Sequence, residues 1–325
     1  MNYIKLIIST TMLLVISALV FSRKVSRTNF NMQKKVAILE PAIHPAIDEI
    51  SQGVIDTLNA STQTYQIKRY NANGNRILMN ALAHEIKESN CDLIVTIGVG
   101  CTLIVKELRS KYNCTIPQVF TAVDDPLVLS LADNAITGVT EKTDYLNQIQ
   151  LLLLIKPSIK TVALVYDPSH GSGLEKDKNE IESILKNKKI RLQVIEIQSP
   201  SEIQQKVSLF MESADAVLIL KDNTTVSGLD SLLTLCKRYQ IPLVASDLNS
   251  GNKGAVLSYG IKEYDSGVEA AKKALLILEH NKMPNNIPVS AVETLIMQVN
   301  TSQQSTQGIT LDHIDLTALP VTFIN

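Results

Sequence analysis

The sequence predicts an α/β protein built from two doubly wound, Rossmann-like lobes joined by a hinge. From Val36 onward, short apolar runs alternate with segments that have helical spacing, which is the pattern of mostly parallel sheets. The same order of segments then occurs a second time, which indicates an internal duplication. A length of 325 residues is enough for two domains of ordinary size.

The first 22 residues have the pattern of a signal peptide or a membrane anchor. Lys5 precedes an uncharged apolar run from Leu6 to Phe21, and Arg23 and Lys24 follow it. The run is short for a transmembrane helix, which favours a cleaved signal, while an uncleaved anchor stays open. Either reading, followed by a linker at 23–35, places the rest of the chain outside the cytoplasm, with the membrane reached only through this segment.

The first lobe is predicted over residues 36–143. Its expected segments alternate between strand and helix in the order 36–40, 47–58, 65–70, 77–86, 92–98, 102–108 and 118–123, with a closing strand at 136–139.

Three strand motifs of this lobe recur 123 to 126 positions later. The pairs are VAILEP at Val36 with VALVYDP at Val162, DLIVTIG at Asp92 with DAVLILKD at Asp215, and IPQVFTAVDD at Ile116 with IPLVASD at Ile241. A crossover helix and hinge are therefore expected at 144–160 and a second lobe at 161–283. Residues 284–325 are predicted to form a return segment to the first lobe and a tail.

Composition excludes several classes of protein. Lysine and arginine number 31 against 32 aspartate and glutamate residues, so no net field attracts nucleic acid. The four cysteines form no C-x-x-C pair and no metal-ligand spacing with the histidines; burial as small apolar residues is favoured, and a disulfide stays open. The motifs of common NTPases, hydrolases and metalloproteases are absent, and Gly98-Val99-Gly100 lacks the third glycine of a dinucleotide fingerprint. We therefore expect no enzyme, no catalytic residues, no cofactor and no metal.

Several segments, in order along the chain, resemble the tryptophan/tyrosine-type ABC transporter substrate-binding proteins. They are His44–Asp48, Val119–Pro126, Gly138–Thr140, Lys221–Val226, Ile241–Asp247, and Gly254–Gly260 followed by Tyr264. The chain departs from that family's pattern at Asp124, where threonine is common, and at Cys101, where a smaller residue is common. The resemblance implies a type I periplasmic-binding fold. It also implies a periplasmic or otherwise extracytoplasmic solute-binding subunit that serves an ABC permease and its ATPase and binds an amino acid.

Ligands of open parallel sheets bind beyond the carboxyl ends of the strands. For an amino acid, we expect backbone N–H groups from Gly98 to Thr102, with Thr121, to bind the carboxylate. Asp222 and Asp247, helped by Asn223, are expected to bind the ammonium. The complete set of expected ligand contacts is His44, Gly98, Thr102, Thr121, Asp125, Asp222, Asn223, Ser246, Asp247 and Tyr259.

Structural roles compete with these assignments. Asp222 also fits a helix N-cap, Asp247 fits the turn that follows it, and His44 fits a helix entry before Pro45. Tyr259 also fits a core tyrosine. At the level of the whole protein, the alternative is a membrane-anchored ligand-sensing domain of the same fold.

Overall fold

A computed structural model describes residues 33–123, 135–141, 143–170, 172–311 and 321–325. Asp124, Asp125 and the predicted signal or anchor at 1–22 lie outside these residues. The described chain forms two α/β lobes, each with helices on both faces of a largely parallel sheet. No helix of these ranges combines the length and apolarity needed to cross a bilayer.

Within the described residues, the sheet of the first lobe has six strands, and its central strands are buried. They are β1 (Lys34–Glu40), β2 (Tyr65–Asn71), β3 (Leu93–Ile97), β4 (Gln118–Val123), β5 (Ile136–Thr140) and β11 (Ser290–Ala291). Their spatial order is β11-β5-β4-β3-β1-β2. Apolar side chains on both faces, as in the fully buried β3, are typical of a parallel sheet covered by helices.

The sheet of the second lobe has seven strands in the part of the chain that is described. They are β6 (Thr161–Tyr166), β7 (Arg191–Glu196), β8 (Ala216–Ile219), β9 (Leu243–Ala245), β10 (Leu257–Gly260), β12 (Ile296–Asn300) and β13 (Val321–Ile324). Their order is β13-β12-β10-β9-β8-β6-β7, and β12 runs antiparallel to β10.

The predicted duplication is confirmed by the order of the strands. The first lobe contains the run β2-β1-β3-β4-β5, and the second contains β7-β6-β8-β9-β10 in the same arrangement. Val36 of β1 pairs with Leu93 of β3, and at the equivalent place Val162 of β6 pairs with Ala216 of β8. Each lobe therefore has its topological switch point between its first and third strands, where a crevice opens at the carboxyl ends.

Ten α-helices connect and cover these strands in the described ranges. They are α1 (Pro45–Asn59), α2 (Arg76–Glu88), α3 (Gly98–Tyr112), α4 (Tyr145–Ile155), α5 (Ser172–Asn187), α6 (Ile203–Ser208), α7 (Asn223–Ser227), α8 (Leu229–Tyr239), α9 (Leu248–Lys253) and α10 (Glu263–Leu278).

The helix α10 packs on the first lobe, against α1, β3, β4 and β5. Two glycines let α1 and α10 approach closely. A β-carbon at Gly53 would lie 2.2 Å from the carbonyl oxygen of Tyr264, and one at Gly267 would lie 2.0 Å from that of Ile50. Since neither position has room for a methyl group, the backbones of the two helices are in direct contact.

This packing corrects two boundaries of the sequence-based division. Residues 161–283 were expected to form the second lobe, but α10 contributes Ala270, Ala274 and Leu278 to the core of the first. Residues 284–325 were expected to return to the first lobe; β11 does so, whereas β12 and β13 extend the second sheet. The apolar stripe of α10 predicts that the helix is covered but does not identify the surface that covers it.

Within the residues that the structure describes, the chain therefore crosses between the lobes three times. The crossings run from β5 to α4, from β10 to α10 and from β11 to β12. Because α4 contributes Tyr145, Ile149 and Leu152 to the second-lobe core, the first crossing is complete before that helix begins.

Candidate functional site

A cavity of about 370 Å³ lies between the two lobes, at the carboxyl ends of their strands. The first lobe lines it with residues after β1 and β3, among them His44 and Gly98, and with Ala122 of β4. The second lobe lines it with residues after β8 and β9, including Asn223 and Asp247. The volume is within the range of small-molecule sites, roughly 300–1,000 Å³.

Part of the lining of this interlobe cavity is apolar. Ile47 and Ile50 of α1 line it together with Ile97 at the end of β3, and Val226 of α7 lines it from the second lobe. The described lining contains no Phe, Tyr or Trp, so the apolar side chains that it offers to a ligand are aliphatic. This wall can remove an apolar side chain from water.

The first-lobe rim has an unusual backbone at two positions. Gly98, the first residue of α3, has φ of +81°, and no side chain caps the start of that helix. Ala122 has φ of +56° where the pairing of β4 with β5 shifts register. A left-handed alanine is strained, and strained backbone of this kind is typical of ligand-binding surfaces.

Besides Gly98, four expected contact residues lie at the cavity surface and at helix starts. His44 caps α1, since its Nδ1 accepts a hydrogen bond from the Ala46 amide at 3.2 Å. Asp222 caps α7 and Asp247 caps α9, while Asn223 is the first residue of α7. All four line the cavity as well, so capping and ligand contact are compatible for each.

The two aspartates have both carboxylate oxygens engaged. Asp222 accepts hydrogen bonds from the amide and the hydroxyl of Thr225, each at 2.7 Å. Asp247 accepts from the amide of Ser250 at 2.8 Å and from its hydroxyl at 2.7 Å. Each aspartate therefore holds the first turn of a short helix, and a ligand would have to share its oxygens.

Four other expected residues are not part of the cavity lining. Thr102 and Thr121 are fully buried; their hydroxyls donate to the carbonyl oxygens of Gly98 at 2.8 Å and Ser266 at 3.3 Å. Ser246 donates to Gln148 at 3.3 Å, and Tyr259 belongs to the core of the second lobe. Asp125, the remaining expected contact, is outside the described residues.

Sequence reasoning missed an ionic cluster that also lines the cavity, formed by Lys221, Glu141 and Glu263. The Nζ of Lys221 lies 2.7 Å from Oε2 of Glu141 and 2.6 Å from Oε1 of Glu263. Lys221 follows β8 of the second lobe, whereas Glu141 follows β5 and Glu263 follows β10, on two of the crossings. We call these three residues the hinge cluster.

Burial shapes the electrostatics of the hinge cluster. Burial raises the pKa of Glu263 to about 7. The positive charge of Lys221 opposes this rise, and the negative charge of Glu141 adds to it. Burial alone would lower the pKa of Lys221, but the two carboxylates outweigh it and raise that pKa. The cluster thus combines a firmly charged lysine with a glutamate whose ionised form is poorly stabilised.

Among the described residues, no three His, Cys, Asp or Glu side chains are grouped so that they could hold a metal ion. The four cysteines are buried and none is in a disulfide. The cavity therefore offers hydrogen-bonding groups, charges and an apolar wall to a ligand.

Two α/β lobes of this topology, with a cavity between their strand ends, define the type I periplasmic-binding fold. The chain belongs to the family of ABC transporter substrate binding proteins, whose model matches residues 35–319.

Similar proteins match most of the length of this chain. A tyrosine-binding protein of Clostridioides difficile is 26% identical over 294 residues, which cover 86% of this chain and 82% of that protein. An uncharacterised protein of Rickettsia prowazekii is 29% identical over 292 residues, covering 88% and 89% of the two chains. An ABC domain of Streptococcus pneumoniae in complex with L-Trp superposes with a TM-score of 0.78 at 21% identity, over 90% of this chain and 100% of that one.

Proposed function

We propose that this protein captures an L-amino acid in the interlobe cavity outside the cytoplasm and delivers it to the permease and ATPase of an ABC importer. The family supplies the general role, since its members bind transporter substrates. The expected ligand contacts His44, Gly98, Asn223, Asp222 and Asp247 are part of this proposal, because each of them lines the cavity.

The observation that carries the proposal is the composition of the cavity lining. Polar and charged groups come from both lobes, while Ile47, Ile50 and Ile97 form an apolar wall beside them. An amino acid matches this division, because its backbone is charged and its side chain can be apolar. Relatives named for tyrosine binding or solved with L-Trp favour an aromatic side chain.

Hinge closure follows from the same arrangement. A ligand that contacts both lobes stabilises the state in which they are close together, and three crossing segments are available to bend. Ligand should therefore decrease the radius of gyration measured by small-angle X-ray scattering. An unchanged radius with saturating ligand would contradict closure.

Thermal-shift screening of the purified protein against L-amino acids, nucleosides and sugars tests the ligand class. A ligand present at 100 times its Kd stabilises the native state by about 2.7 kcal/mol, so an L-amino acid should raise the Tm by several degrees. A shift confined to sugars or nucleosides would refute the proposal.

Two isoleucines of α1 provide a matched test of the apolar wall. Ile47→Ala removes a side chain that lines the cavity and should weaken amino-acid binding by about 1–2 kcal/mol, or roughly 5- to 30-fold. Ile55→Ala makes the same change on the same helix, in a side chain that packs on the first-lobe core and is not part of the cavity lining. Titration calorimetry should give the native Kd for the Ile55 variant; equal weakening in both variants would place the ligand elsewhere.

A further inference from the structure

Two carboxylate oxygens of the hinge cluster have no hydrogen-bond partner. Glu263 is 6% exposed and lines the cavity, yet its Oε2 has no hydrogen-bond partner. Glu141 likewise uses Oε2 on Lys221 and leaves its buried Oε1 without a partner. A buried acceptor without a donor is costly, so a donor supplied from the cavity would stabilise this arrangement.

The residues that line the cavity carry more negative than positive charge. Four carboxylates and two lysines are part of its described lining. Within the hinge cluster itself, one lysine faces two glutamates. The cavity therefore has an excess of negative charge, which would attract a cationic group of a ligand.

The carboxylate oxygens of Asp222 and Asp247 are already engaged in hydrogen bonds. Their oxygens already accept hydrogen bonds from the first turns of α7 and α9. Among the described residues that line this cavity, the buried side-chain oxygens without a hydrogen-bond partner are those of the two glutamates.

We propose that Glu141 and Glu263 recognise a positively charged nitrogen of the ligand, which in an amino acid is the α-ammonium, through Glu141 Oε1 and Glu263 Oε2. The assignment rests on the proposed capture of a small molecule in this cavity and specifies which part of that molecule the hinge cluster binds. Glu141 lies on the first crossing, Glu263 begins α10 at the end of the second crossing, and Lys221 comes from the second lobe, so an ammonium bound here would contact residues at the junction of the two lobes. The raised pKa of Glu263 is consistent with this, since its carboxylate lacks the cation that would stabilise its charge.

Three probes separate the ammonium from the rest of an amino acid. L-Tyrosine carries both charged groups, tyramine lacks the carboxylate, and 3-(4-hydroxyphenyl)propionate lacks the ammonium. Calorimetry with the native protein should show that the loss of the ammonium weakens binding about 10- to 100-fold, as for a hydrogen bond to a charged group. If the screen selects another amino acid, its amine and its deaminated acid form the same series.

Variants then test whether the glutamates read that group. Glu263→Gln keeps the shape and removes the charge; it should weaken L-tyrosine binding about 10- to 100-fold and leave the deaminated acid within about threefold. The matched control is Glu269→Gln, on the same helix, which removes an exposed glutamate paired with Lys272 at 2.6 Å and should change neither Kd. Glu141→Gln repeats the test if the first variant does not fold, as judged by circular dichroism.

Each outcome is decisive. Equal weakening of L-tyrosine and the deaminated acid in Glu263→Gln would mean that Glu263 only maintains the hinge, and the inference would be overturned. Equal native affinity for those two probes would overturn it while leaving amino-acid capture intact. Binding of tyramine without any amino acid would support the inference and overturn the proposed function, and a cavity that takes neither amines nor amino acids would overturn both.

Discussion

Replacing Gly267 with alanine should destabilise the first lobe, because α1 and α10 meet at that residue. The new β-carbon would lie 2.0 Å from the carbonyl oxygen of Ile50, whereas real contacts of this kind stay above 3.0 Å. The helices must therefore separate by about 1 Å, and the surrounding side chains lose contact. Overpacking of this kind costs about 1–3 kcal/mol, which exceeds the gain of about 0.5–1 kcal/mol from replacing a helical glycine.

The matched control is Gly100→Ala in α3. A β-carbon there lies 3.7 Å from the nearest atom, the Cε of Met79, which is an ordinary contact. We expect urea denaturation, followed by far-ultraviolet circular dichroism, to give a lower free energy of unfolding for Gly267→Ala and an unchanged or slightly higher one for Gly100→Ala. Equal midpoints for the two variants would refute the account of the helix contact.

Two further predictions concern ionisable groups. The pKa of Glu263 is raised in the folded protein, so the native state binds more protons than the unfolded state between about pH 4.5 and 7, and stability from this group is lost as pH rises through that window. Urea denaturation should therefore show that the free energy of unfolding of Glu263→Gln, taken relative to the unsubstituted protein, increases by up to about 3 kcal/mol from pH 5 to pH 8. A difference that does not change with pH would contradict the raised pKa of Glu263. All four cysteines are buried, and burial raises the pKa of Cys101 and Cys236 to about 12. A thiol reagent at pH 8 should therefore label the four cysteines only after denaturation. Rapid labelling of the native protein would show that one of these thiols is accessible.

Periodicity located most first-lobe elements from sequence. The strand expected at 118–123 matches β4, and the helix expected at 47–58 lies within α1. The helix at 102–108 was placed too late, since α3 begins at Gly98, where glycines are poor helix formers. Apolar spacing could not assign α10 to a lobe, because the contact that places it depends on Gly53, more than 200 residues away.

Local patterns were less informative about the candidate site. Asp222 and Asp247 were predicted as ligand contacts because they follow strands. The same position makes them N-caps of the helices that begin there. Glu141, Lys221 and Glu263 share no local motif, since each comes from a different segment and they meet only in the folded chain. The signal available was their position just after β5, β8 and β10, the strand ends at which ligands of such sheets bind.

The three crossings also determine when each half of the molecule can finish folding during synthesis. The first core lacks its closing helix until Leu278 has been made, after most of the second lobe, and the second sheet lacks its antiparallel strand until Asn300. A fragment ending at residue 143 would leave the apolar face of α1 uncovered, so the duplicated halves cannot be separated by one cut in the gene. The nascent polypeptide thus stays incompletely packed until almost its whole length has been synthesised.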